Sequence, residues 1–164
     1  MQALEMEKGE VRAGEPTLLV VYQTDKPVSR DAVEEALQAL TRSFEAYANE
    51  RGPQSQGATL EIHRLEFGSI IAELIAVAGA LDTIYDHREL LAGFVTHIQG
   101  VVQAVLGIGA ARVKAVDRRL FPDLARPVAD QRAININISV AGSHNSIIVD
   151  RQLVERAQAQ PAAG

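Results

Sequence analysis

The chain has no cysteine, and its aromatic residues amount to only 4%. The first absence excludes disulfides, thiolate metal sites and cysteine nucleophiles. The second means that a core must be assembled from Val, Ile, Leu and Ala. Basic residues are also in the minority, 16 Lys and Arg against 21 Asp and Glu, for a formal net charge of −5. A broad basic face for nucleic acid is therefore disfavoured. The first fifteen residues are acidic and contain no apolar h-region, so a signal peptide is not expected there.

Catalytic motifs are missing as well. The histidines, His63, His87, His97 and His144, form neither H-x-H nor H-E-x-x-H, and no metal or cofactor is expected. No G-x-S-x-G and no G-x-x-x-x-G-K-[ST] occurs. "GIGAAR" is a fragment of a dinucleotide fingerprint, but it lacks the third glycine and follows a helical pattern rather than a strand. Ser143 beside His144 has the composition of a turn, where adjacent side chains do not meet as nucleophile and base.

What is present suits one domain over 16–156, between a lead-in (1–15) and a low-complexity tail (157–164). Hydrophobic residues make up 47% and charged residues 23%, as in a globular protein. "PTLLVVYQT" reads as a buried strand. After it, Ser29 is a candidate N-cap, with Asp31, Glu34 and Glu35 near the positive end of a helix dipole. Val33, Leu37, Leu40, Phe44 and Tyr47 form one apolar stripe, and Gly52-Pro53 ends the helix.

"ATLEIHRLEFGSIIAELIAVAG" reads as two strands around a turn at "EFGS", with a helix from Ser69 as the competing reading. In the first strand Leu60 and Ile62 alternate with Glu61 and His63, which places His63 toward solvent. The second strand is apolar on both sides and belongs in the interior of a sheet.

From Leu90 to Ala111 the chain runs twenty-two positions without a charge. Asp86 and Glu89 have capping-box spacing at one end, while Arg112 and Lys114 suit the other end of a helix. About 20 apolar residues can cross a bilayer. Against that, Thr96, His97, Gln99 and Gln103 lie opposite Phe94, Ile98, Val101, Val102, Val105 and Ile108, the two-sided pattern of a helix on a protein core. Gly93, Gly100 and Gly107 recur every seven residues and so lie along one side. Each costs about 1 kcal/mol relative to Ala. Close approach of another backbone would offset that cost. Alternatively, Gly107 and Gly109 simply end the helix.

"AARVKAVDRRLF" reads as a short helix closed by Pro122, and "PDLARPVADQ" as a connector with two prolines. "ININISVAGSHNSIIVD" is a hairpin: Ile134, Ile136, Ile138 and Val140 fall on one face, and Asn135, Asn137 and Ser139 on the other. "RQLVERAQAQ" adds a last turn or two of helix.

The order of elements implies a two-layer α+β domain, a largely antiparallel or mixed sheet covered by helices. The expected function is that of a non-enzymatic, cytoplasmic module that binds itself or another protein, such as an accessory domain of a bacterial multiprotein or defence system. Gly93, Gly100, Gly107, Asn135 and Asn137 are its candidate contact residues. The alternatives are a membrane-anchored protein using 90–111 and a small enzyme or ligand-binding domain with a dispersed site.

Overall fold

A computed structural model describes residues 16–52, 55–77, 87–108, 113–141 and 146–159. In chain order the elements are β1 (Leu18–Thr24), α1 (Arg30–Asn49), β2 (Thr59–Glu66), β3 (Ile70–Val77), α2 (His87–Val105), a 3-10 turn (Ala115–Asp117), α3 (Leu120–Ala129), β4 (Ala133–Val140), β5 (Ser146–Asp150) and α4 (Arg151–Gln158). The strands form one sheet in the order β2-β3-β1-β4-β5, and every neighbouring pair is antiparallel. With the four helices of the described residues packed on it, the sheet makes a two-layer α+β domain.

The core lies between these layers. Leu18, Val20 and Tyr22 of β1, Leu74 of β3, and Ile136 and Ile138 of β4 point into it. α1 begins as its sequence dictates: the Ser29 side chain accepts a hydrogen bond from Ala32 N at 3.1 Å, and all five residues of its apolar stripe are buried. β1 is the middle strand and β3 lies between β2 and β1, which accounts for the apolar character of both.

The uncharged stretch is not one continuous helix. α2 covers 19 residues, and Leu90, Leu91, Phe94, Val95, Ile98, Val101 and Val102 are buried in the core. It ends in a left-handed turn: Gly107 has φ 76°, Gly107 N donates to Ala104 O at 3.1 Å, and Ile108 N donates to Gln103 O at 2.9 Å. That pair of bonds satisfies the last carbonyls of the helix, and glycine adopts the required φ without a Cβ penalty. Asp86, the expected cap, lies outside the described residues, as do 109–112 and the Ser143–His144 pair. Among the described residues no helix is long and apolar enough to cross a membrane.

Three expectations are corrected. First, "PDLARPVADQ" is not a connector: most of it is α3, with Pro127 inside the helix. Pro122 is the third residue, where a backbone N–H has no intrahelical acceptor to lose. The burial of Leu120, Phe121, Leu124, Ala125 and Val128 outweighs the poor propensity of Pro127. α3 closes through Gln131 at φ 64°, with Arg132 N donating to Pro127 O at 3.0 Å.

Second, His63 does not face solvent: its side chain is 16% exposed. Ile62 pairs with Leu74 and Arg64 with Glu73, so His63 is the extra residue of a bulge and the alternation breaks there. Third, Ile134 leaves the isoleucine face and is 38% exposed. Thr24 pairs with Ala133 and Gln23 with Asn135, which makes Ile134 the extra residue of a second bulge.

Candidate interaction surface

In an antiparallel sheet, residues in register share a face. On the face turned away from the core, Val21 pairs with Ile71 on one side and Asn137 on the other, and the row continues to Glu66 and Ile148. The next row runs Arg64, Glu73, Leu19, Ser139 and Ser146. Together with Gln23, Asn135 and Ser69, many of these residues line one shallow concavity of about 620 Å³. Its polar groups are partly paired: Asn135 Nδ2 donates to Gln23 Oε1 at 3.0 Å. Its apolar centre is Leu19, Val21 and Ile71, with Ile148 of β5 55% exposed beside it.

The β2 side of this face is charged. Arg64 donates to both Glu66 and Glu73, and the hydrogen bond to Glu66, followed by that to Glu73, raises its pKa above the ordinary guanidinium value. These charges, with the His63 bulge, also protect the β2 edge from pairing with another strand. β5, the other edge, has only five residues. Short, bulged or charged edges disfavour strand addition, so the broad face is the more accessible surface.

The glycine stripe resolves into three local settings. A Cβ built on Gly93 would overlap the hydroxyl of Tyr47 on α1. One built on Gly100 would meet nothing within 4 Å. Gly107 forms the left-handed end of α2. The stripe belongs to the helical layer, whereas Asn135 and Asn137 line the opposite face of the sheet, so the two sets of candidates do not converge.

A polar cluster in the helical layer joins residues far apart in the chain. Asp117 is 2% exposed; Ser43 Oγ donates to its Oδ1 at 2.5 Å, and His97 Nε2 lies 2.8 Å from its Oδ2. The His97 ring also packs on Tyr47, centroids 5.4 Å apart, and on Phe94 at 6.2 Å. The carboxylate occupies the middle of this chain of bonds. Acyl-transfer chemistry requires the imidazole in the middle, where it can take the serine proton. Here the Ser43 proton points to Asp117, and the cluster links α1, the 3-10 turn and α2. Only one local signal marked it in the sequence: Ser43 is a polar residue beside the apolar stripe of α1.

Elsewhere, the Tyr22 hydroxyl donates to Leu124 O at 2.7 Å, and burial, with a further contribution from Asp123, pushes its pKa far above the ordinary value of 10.0. The hydrogen bond from Lys114 holds the Glu50 carboxyl below the usual carboxylate range. The cavity between α2, α3, β4 and β5 is about 10 Å³, room for no more than a water. Among the described residues no three His, Asp or Glu side chains converge as a metal site. No protein-family model, curated protein or solved structure matches the chain.

Proposed function

We propose that this chain is a non-enzymatic interaction module that associates with itself or with another protein through the open face of its sheet. The observation that carries the reading is the asymmetry of the sheet: among the described residues, helices cover one face, while the other presents Leu19, Val21, Ile71 and Ile148 among amides and hydroxyls. Protein contacts that form and dissociate combine an apolar centre with a polar rim in this way. Catalysis is the weaker reading because the Ser43–Asp117–His97 cluster directs its serine proton to the carboxylate.

The test is molar mass by light scattering across a concentration series, for the natural chain and for Val21→Asp combined with Ile148→Asp. Loss of assembly with an unchanged circular dichroism spectrum supports the reading. Assembly that survives both substitutions overturns the assignment of this face. A monomeric mass at millimolar concentration removes self-association and leaves a different protein as the partner.

A further inference from the structure

A second apolar surface lies on the helical side of the sheet. Leu37 of α1 and Leu60, Ile62 and Leu65 of β2 line an open groove of about 500 Å³ between the helix and the edge strand. Leu37 and Leu60 are buried at its floor and Leu65 is half-buried, whereas Ile62 is 48% exposed. The rim is charged. Glu34 and Glu45 stand on the α1 wall and Glu61 on the β2 wall, against one cation, Arg42. Thr59 Oγ1 donates to Glu45 Oε2 at 2.6 Å, and Glu61 Oε1 lies 3.6 Å from His63 Nε2. Neither carboxylate is paired with a Lys or Arg among the described residues.

We infer that this groove docks an amphipathic α-helix of another protein, one whose apolar stripe is flanked by Lys and Arg. The two walls have one length. Glu34 to Glu45 on α1 spans about 16 Å at about 1.5 Å per residue, and Leu60 to Leu65 on β2 spans about 16 Å at about 3.3 Å per residue. That is about three turns of a bound helix, enough for anchors at i, i+3 or i+4, and i+7. A helix satisfies its own backbone groups, so it needs only side-chain contact from the groove. A strand laid against β2 would need a regular edge, which the His63 bulge and the neighbouring charges deny it.

The rim sets the sign of the partner. Glu34 and Glu45 lie at opposite ends of the α1 wall, with Glu61 on the facing wall, so basic residues near both ends of the docked helix meet carboxylates. Arg42 stands between the two glutamates and selects a neutral or acidic residue there. An acidic helix would set like charges in contact, which disfavours an interface. Because these charges are at a solvated rim, they act on specificity and association rate, and binding weakens with salt. Ile62 and Leu65 supply the apolar contact. The groove is distinct from the open face, where Leu19, Val21 and Ile71 stand on the other side of the sheet.

The probe is a synthetic helical peptide with Leu at i, i+3, i+4 and i+7 and Lys on the flanks, beside a control with Glu in place of every Lys. NMR of the full, isotope-labelled chain maps the site without any substitution. The basic peptide is expected to shift the signals of Leu37, Thr41, Ile62 and Leu65 and to leave Val21 and Ile148 in place, and the acidic control to shift none of them. Ile62→Asp is expected to weaken the basic peptide about tenfold with an unchanged circular dichroism spectrum. That variant separates the groove from general attraction between a basic peptide and a chain of net charge −5, because an added carboxylate would strengthen the latter. If Ile62→Asp unfolds, the map on the natural chain decides alone. Equal response to the two peptides, shifts centred on the open face, undiminished binding by a folded Ile62→Asp, or no response at millimolar peptide each overturn the proposal.

Discussion

Gly93 on α2 faces the hydroxyl of Tyr47 on α1, so closely that a Cβ at Gly93 would overlap the hydroxyl oxygen. The Tyr47 ring is held between neighbours: Arg51 stacks over it at 4.5 Å, and the Phe94 ring lies 5.7 Å away, centroid to centroid. The missing side chain at this glycine is therefore what allows the two helices to pack.

Gly93→Ala is expected to destabilise the fold by about 1–2 kcal/mol, since overpacking outweighs the gain in helix propensity. In a Tyr47→Phe background the same change should be neutral or stabilising by up to about 1 kcal/mol, because the overlapping atom is gone and the remaining contact, to the ring carbon at 3.4 Å, is ordinary. Urea denaturation of all four chains gives the coupling energy. Equal effects in both backgrounds would rule out the Tyr47 contact as the cause.

Gly100 should behave in the opposite way. With open space where its Cβ would stand, Gly100→Ala should stabilise α2 by about 0.5–1 kcal/mol and leave the molar mass unchanged. Gly100→Leu should also keep the mass of the natural chain. Loss of assembly in either variant would return the glycine stripe to the interface.

The buried Asp117 carboxylate is stabilised by the groups that bond it. Asp117→Ala leaves the Ser43 hydroxyl and the His97 ring without their acceptor, for an expected loss of about 1–3 kcal/mol. Ser43→Ala should cost about 1 kcal/mol. The two changes share one hydrogen-bonded group, so the double variant should lose less than the sum. Additive losses would show that the bonds act independently.

Tyr22 predicts an alkaline limit to stability. Its pKa is raised in the folded chain, so its contribution is complete below the unfolded value of about 10 and falls as pH rises above it. The unfolded chain releases the phenolic proton while the folded chain keeps it, for a loss of about 1.4 kcal/mol per pH unit. Tyr22→Phe should give up the bond to Leu124 O, about 1 kcal/mol near neutral pH, and flatten the alkaline decline. The measurement is urea stability of both chains from pH 8 to 12, and parallel curves would reject the assignment.

Local pattern determined a large part of this protein. The apolar stripe and Ser29 cap of α1, the two hairpins and the alternation of Ile136 and Ile138 with Asn135 and Asn137 all appear where the sequence places them. Each depends on residues a few positions apart, whose period sets which side is buried. The end of α2 was legible only as the alternative to a glycine contact stripe, and Gly107 ends the helix because glycine adopts φ 76° without strain.

Tertiary structure decided the rest. α3 forms with two prolines in it because five of its apolar side chains are buried, and that burial is invisible to local propensity. The bulges at His63 and Ile134 follow from matching one strand to its neighbours, so they move side chains that alternation alone assigns elsewhere. Ser43 and Asp117 lie 74 positions apart and meet only when α1 packs against the 3-10 turn. The order β2-β3-β1-β4-β5 places the apolar Leu19 and Val21 of β1 between the Arg64, Glu66 and Glu73 cluster on one side and Asn137, Ser139 and Ser146 on the other. Sequence supplied those side chains, but only long-range strand pairing, set by chain closure and burial rather than by period, brought them onto one surface.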